Sequence, residues 1–245
     1  MANPLSPDPA PARVSGEICE PPHDFHSKDL RLELIATARR MAACGLNRGT
    51  SGNLSVRHGE GFYITPTGMP YDTLEIEDLP WMPFGGQSEA HGRRKPSSEW
   101  RLHHDLYTTR PEAGAVLHAH STFAISLACL RTGIPPFHYM IALFGGDTVR
   151  CAEYATFGTQ ELADAAQKAM QDRSACLLAN HGLLVFGENL KQALDHAIEL
   201  EALCEQYWRA CQLGQPILLT EREMAVVLEQ FSQYGQQDDA ADRRN

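Results

Sequence analysis

No apolar stretch in this chain reaches the roughly 20 residues a helix needs to cross a bilayer, so no membrane partner is expected. No apolar core follows Met1, so no secretory leader is expected, and the expected compartment is the cytoplasm. The 7 cysteines include no Cys-x-x-Cys pair and are odd in number, which speaks against a disulfide framework and for reduced thiols. Basic residues are outnumbered, 21 Lys+Arg against 31 Asp+Glu, for a formal charge of -10; a nucleic-acid partner would call for a basic face. Neither a Gly-Lys-Ser/Thr phosphate loop nor a G-x-G-x-x-G turn is present, and no internal repeat is visible.

A chain of 245 residues is long enough for one domain with a full core and some appendages. Residues 1–26 are rich in proline and expected to form a disordered arm, residues 27–235 the folded domain, and residues 236–245 a polar tail. A helix is predicted after Ser27, a candidate N-cap, with Leu30, Leu34, Ile35, Ala38, Met41 and Ala42 on one face and Gly45 as its C-terminal cap. Leu54/Val56 and Phe62/Ile64 alternate around a His58–Gly61 turn, which predicts a hairpin. Residues 65–96 carry no clear period, and Pro80 breaks regular structure there. Further helices are predicted from Ser98, over Ser121–Leu130, over Gly158–Asp172, over Asn189–Leu213 and after Thr220, where Thr220-x-x-Glu223 is a capping box. Strands are predicted at Ala115–His118, Ala175–Leu178 and Leu183–Phe186. Interleaved helices and strands predict an α/β layered domain.

Glu99, His118, His120 and His181 are the residues that carry chemistry. Positions two apart on a strand share a face, so His118 and His120 can hold one ion together. A carboxylate and three imidazoles form a ligand set for a divalent transition metal, zinc first. Three protein ligands with an open fourth position describe a catalytic site rather than a structural one. One histidine on an apolar strand is more often core than ligand; the weight lies in the set, which joins a Ser97-Ser98-Glu99 helix start to an Asn180-His181-Gly182 turn. His23, His26, His58, His91 and His196 are expected to be solvated, and His103 and His104, close to Glu99, are ambiguous.

Gly49-Thr50-Ser51-Gly52-Asn53 alone is an ordinary connection. Together with Thr65-Pro66-Thr67-Gly68 and Ser97-Ser98 it supplies hydroxyls, glycine amides and a helix N-terminus, an anion cradle that needs no lysine. Tyr139, in an apolar stretch, is on its own a core residue.

Seven segments together resemble the class II aldolase/adducin family, and within it the L-fuculose-1-phosphate aldolases. They are residues 49–57, 64–68, 96–100, 118–120, 138–141, 154–159 and 180–183. The resemblance runs in order from about residue 28 to 235 and implies a single layered α/β domain with a central, mainly antiparallel sheet flanked by helices. It implies that His118, His120 and His181 hold zinc or another divalent transition metal, one ion per subunit. Glu99 would be a fourth ligand in the empty enzyme and the acid/base once substrate displaces it. Gly52, Asn53, Thr67, Gly68, Ser97 and Ser98 would bind the phosphate of a ketose. Tyr139 would reach the aldehyde end from a neighbouring subunit of a homotetramer whose active sites lie at subunit interfaces, and Phe231 and Tyr234 would add contacts there. Asn180 departs from the fuculose enzymes, which can carry histidine at that position; no loss of metal is expected from it.

The implied reaction is retro-aldol cleavage of a ketose 1-phosphate to dihydroxyacetone phosphate and a small aldehyde. A metal Lewis acid takes the charge that a Schiff-base lysine handles in other aldolases. Tyr139 would take the proton of the C4 hydroxyl and Glu99 would protonate C3. L-fuculose 1-phosphate leads among substrates, and 5-deoxy- or 5-methylthio-ribulose 1-phosphate competes. An L-ribulose-5-phosphate 4-epimerase-like activity is disfavoured, because those enzymes look to have Ser-Ser-Asp in place of Ser97-Ser98-Glu99. Decarboxylation of a sugar-acid phosphate is a further alternative. A non-catalytic adducin-like module ranks last, since such heads look to have lost metal ligands that this chain retains.

Overall fold

Alternation at Leu54/Val56 and Phe62/Ile64 does produce a hairpin in the computed structural model, which describes residues 25–85 and 90–231. Strand β1 (Asn53–His58) pairs antiparallel with β2 (Gly61–Ile64), His58 opposite Gly61. The difficult stretch that follows hides an edge strand, β3 (Trp81–Pro83), which starts directly after Pro80 and pairs with β2. Proline is tolerated there because an edge strand leaves one row of donors unused.

Strands β4 (Ala115–Ala119), β6 (Ala175–Leu178) and β7 (Gly182–Gly187) match the predicted apolar runs within a residue or two, and β5 (Arg150–Ala152) is a further short strand. The sheet has the order β3-β2-β1-β4-β7-β6-β5. Each neighbouring pair is antiparallel except β5 with β6. Strands β6 and β7 read as unbroken apolar runs because both faces of the sheet are covered.

One face packs on helices α1 (Phe25–Ala43), α3 (Thr122–Ala128), α5 (Leu190–Leu213) and α6 (Glu221–Phe231), with Leu54, Val56, Ala115, Leu117, Leu183 and Val185 turned toward them. The other packs on α2 (Trp100–Thr109) and α4 (Gln160–Ala169), with Phe62, Ile64, Val116, Cys176, Leu184 and Phe186 inward. Among the described residues no helix is long and apolar enough to cross a membrane.

Several local expectations need correction. Helix α1 starts at Phe25, so Ser27 lies inside it and is not its cap. The rest of the proline-rich arm, the last residues of the expected domain from 232 to 235, and the tail at 236–245 lie outside the described residues. Helix α2 opens at Trp100 rather than Ser98, and α4 is shorter than predicted because Thr159 caps its start, Oγ1 accepting from Leu162 N, and Met170 ends it. His196 is buried, not solvated; its Nδ1–H donates to Phe186 O at 2.9 Å. Gly45 and the Thr220/Glu223 capping box stand as expected, and α5 opens at Leu190 rather than Asn189, which caps it by accepting from Gln192 N.

Candidate metal centre

The site forms at one end of the sheet, where β1 begins, β4 ends and β7 begins. Asn53 on β1 lies directly opposite His118 on β4, and Ala119 lies opposite Leu183 on β7. The chain leaves β4 through His120, while the β6–β7 turn delivers His181. Asn180 supports that turn in the left-handed region, at φ 54°. Helix α2 points its N-terminus at the same place and brings Glu99 as its N-cap residue.

The three imidazoles converge. Ring centroids of His118–His120, His118–His181 and His120–His181 are 4.8, 4.7 and 4.8 Å apart, with planes at 77°, 75° and 80°. Glu99 divides its carboxylate between two of them: Oε2 lies 3.2 Å from His118 Nε2 and Oε1 3.2 Å from His181 Nε2. One ligand atom from each of the four residues falls within 4.8 Å of the others.

This donor set fits a divalent transition ion. His118 Nδ1–H donates to Leu183 O at 2.8 Å, which directs Nε2 at the cluster, the usual outer-shell arrangement of a ligating histidine. His120 Nε2 approaches His118 Nε2 to 2.9 Å, and Glu99 Oε1 is buried yet accepts no hydrogen bond. Burial pushes the Glu99 carboxyl up, but His118 and His181 outweigh it and hold it well below the usual carboxylate range. Burial, with His118 and His181 beside it, pushes His120 down to about 4, leaving its imidazole neutral. For His118 burial acts downward, and the Glu99 carboxylate overcomes it and raises the imidazole. A metal would displace that proton, as ligation requires.

The hydroxyl and glycine segments do lie together. Thr65 N donates to Leu54 O, Ser97 N to Thr65 O, and Thr67 N to Lys95 O, so residues 52–54, 65–68 and 95–98 run side by side at the N-terminus of α2. Thr67, Gly68 and Ser98 are exposed and Ser97 is buried. Asn53 is only 2% exposed, and its amide donates to Glu99 Oε2 at 3.0 Å. A cleft of about 240 Å³ opens over the cluster, lined by Ser98, Glu99, His120, Tyr154, Phe157 and His181 among others.

Tyr139 is not drawn in. It opens a 3-10 turn (Tyr139–Phe144), is 51% exposed, and stacks on His138 with centroids 4.8 Å apart. Phe231 closes α6 and packs, partly buried, on the α1/α5 side of the sheet. Tyr234 lies outside the described residues. Sequence reasoning missed Asn47, whose Oδ1 accepts from His120 N at 3.0 Å and whose amide lies against Gly52. It also missed Tyr154 and Phe157 at the cleft, although both stand in one of the motif segments, and it left His103 undecided. The last had a signal: position 103 is four beyond Glu99 on a helix and shares its face.

Residues 32–208 match the family model described as Class II Aldolase and Adducin N-terminal domain. A 5-methylthioribulose-1-phosphate/5-deoxyribulose-1-phosphate aldolase of Rhodospirillum rubrum is 50% identical over 206 residues, covering 84% of this chain and 92% of that protein. An L-fuculose phosphate aldolase of Escherichia coli is 42% identical over 207 residues, covering 84% and 95%. Among solved structures an L-fuculose 1-phosphate aldolase superposes with a TM-score of 0.79 at 42% identity, covering 83% of this chain and 96% of that one. The motif segments, the mainly antiparallel layered sheet and these relatives agree: the chain belongs to the class II aldolase/adducin family.

Proposed function

We propose that this chain is a divalent-metal-dependent aldolase that cleaves a ketose 1-phosphate to dihydroxyacetone phosphate and a small aldehyde. The observation that carries this reading is the convergence of Glu99 with His118, His120 and His181 beside the hydroxyl-lined N-terminus of α2.

His118, His120 and His181 would hold the ion, and three imidazoles with one carboxylate favour zinc among the divalent metals. When bound, such an ion supplies a Lewis acid for the charge left on the three-carbon fragment as the C3–C4 bond breaks. Gly52, Thr67, Gly68, Ser97 and Ser98 hold the phosphate and so fix which carbon faces Glu99, while Asn53, expected among them, has its amide on Glu99 instead. Once the arriving substrate releases it from His118 and His181, Glu99 takes a proton from solvent and gives it to C3 of that fragment, while the proton that leaves the C4 hydroxyl returns to solvent. Tyr139 takes the proton of the C4 hydroxyl from a neighbouring subunit of a homotetramer; its exposure and its place outside its own cleft support a role in trans. Phe231 and Tyr234 complete the aldehyde end. The N-terminal arm ahead of α1 and the tail from 236 are appendages to this domain, and the cytoplasm is the working compartment.

L-fuculose 1-phosphate and 5-deoxy- or 5-methylthio-ribulose 1-phosphate differ at the end that becomes the aldehyde. Two observations favour the deoxy/methylthio substrates: the 50% identity to the Rhodospirillum enzyme, and the apolar rings of Tyr154 and Phe157, both exposed at the cleft.

A panel of ketose phosphates with coupled detection of dihydroxyacetone phosphate, with and without a chelator, tests the reading. Chelator-sensitive release is the expected result. Epimer formation or carbon dioxide release without free aldehyde would overturn it, and absence of both bound metal and activity would favour a scaffold.

A further inference from the structure

His103 is the middle of a row of buried hydrogen bonds that runs from Tyr107 to Glu99. Asn53 Nδ2–H donates to Glu99 Oε2 at 3.0 Å, and Asn53 Oδ1 accepts from His103 Nε2–H. His103 Nδ1 accepts from the Ser55 hydroxyl at 2.7 Å, and Ser55 Oγ accepts from the Tyr107 hydroxyl at 2.7 Å. Asn53, Ser55, His103 and Tyr107 are all buried, His103 and Ser55 completely.

The polarity of this row has one solution. An ionised carboxylate only accepts, so the nitrogen of the Asn53 amide must face Glu99 and its oxygen must face away. That oxygen needs a donor, which fixes the Nε2–H tautomer of His103 and leaves Nδ1 to accept. Burial pushes His103 down to about 3, so the ring stays neutral and keeps that single tautomer. Burial also holds the Tyr107 phenol well above its ordinary range, so it remains a donor. A buried histidine serving packing alone needs only some partner for each nitrogen. This one has partners whose donors all point the same way, toward the carboxylate set between His118 and His181.

We propose that His103 is a positioning residue: acting through Asn53, it holds the Glu99 carboxylate in the plane where Oε2 faces His118 and Oε1 faces His181. What Glu99 then does to substrate rests on the aldolase reading above; the orientation of its carboxylate does not. Without the His103 donor the Asn53 oxygen is buried with no partner, and nothing on that side holds the amide at the angle that sets Glu99 Oε2.

The test compares full-length wild type with His103→Leu, which abolishes the donor, and His103→Gln, whose amide nitrogen can still donate to Asn53. Each is loaded with zinc for kinetics and with cobalt(II) for its visible absorption, which reports the ligand geometry. The expected result for His103→Leu is one bound metal, a shifted cobalt spectrum, and kcat lower by about 10- to 100-fold with KM little changed. His103→Gln should restore most of kcat and the wild-type spectrum. Wild-type kcat and spectrum in His103→Leu would overturn the proposal, as would equal losses in both variants. Should His103→Leu fail to fold, Ser55→Ala decides: it removes the hydroxyl that anchors His103 Nδ1 and so loosens the ring behind Asn53, and an unchanged spectrum and kcat would overturn the proposal. If wild type cleaves no ketose 1-phosphate, the aldolase reading falls, and the cobalt spectra alone judge His103.

Discussion

Asn53 and His118 stand directly opposite each other on β1 and β4, so their side chains leave the sheet on the same face at the same level. That register sets the amide that holds Glu99 beside the first imidazole of the cluster. A slip of one residue in either strand would turn its member of the pair to the opposite face. The α1/α5 side of the sheet, occupied by Leu54 and Leu117, forbids it, since it would bury an asparagine or a histidine there without partners.

Glu99→Gln keeps the size of the side chain and removes its charge and its capacity to carry a proton. The expected outcome is a loss of turnover on the order of 10²- to 10⁴-fold, in a protein that melts cooperatively near the wild-type temperature. Coupled detection of dihydroxyacetone phosphate, with a thermal melt on the same sample, makes the measurement. Full activity would remove Glu99 from the chemistry.

Gly182→Ala tests how closely β4 and β7 must approach. A Cβ at this position would lie 2.3 Å from Ala119 O and 3.3 Å from His120 Cδ2. The strands must part between His120 and His181, at a cost of about 1–3 kcal/mol by analogy with overpacked cores. Denaturant unfolding should show that loss, and metal analysis should show less ion per chain. Wild-type values in both would mean the ladder relaxes freely there.

Glu201→Gln probes the helix that begins just past His120. From α5, the Glu201 carboxylate accepts from Ser121 Oγ at 2.6 Å, Phe123 N at 2.8 Å and Ala124 N at 2.9 Å, closing the N-terminus of α3. Losing the charge of this cap should lower unfolding stability by about 1–2 kcal/mol. An unchanged denaturation midpoint would count against the cap.

Acid should weaken the fold through Asp78. Hydrogen bonds from Arg94 and then Arg93, opposed by burial, bring its carboxyl down to about 2 from an ordinary 3.8. Its folded-state value lies below its unfolded one, so its contribution is complete above the ordinary value and disappears as pH falls toward 2. Melting temperature followed from pH 5 to 2 should fall less steeply in Asp78→Asn than in wild type. Parallel curves would contradict the assignment.

Some features of the fold are local, and those were legible in the sequence. The hairpin, the capping box at Thr220 and the apolar runs of β6 and β7 depend on neighbours within a few positions. The His118/His120 pair follows from strand parity alone, and the Asn180–Gly182 turn was marked by the apolar runs on either side. Edge strand β3 was illegible because three residues beside a proline carry no period. His196 looked solvated because a helical stripe assigns a face only approximately, and burial there is decided by β7 packing on α5.

By itself the sequence determined the ligand types, the family motifs and the elements that carry them, because residue chemistry and short-range periodicity are written position by position. Only the tertiary structure decided that Glu99, Asn53, His103, Ser55 and Tyr107 form one directed row, and that Asn47 braces His120. Those partnerships join segments tens of residues apart, and they exist only once sheet register and helix docking have fixed which side chains share a buried space.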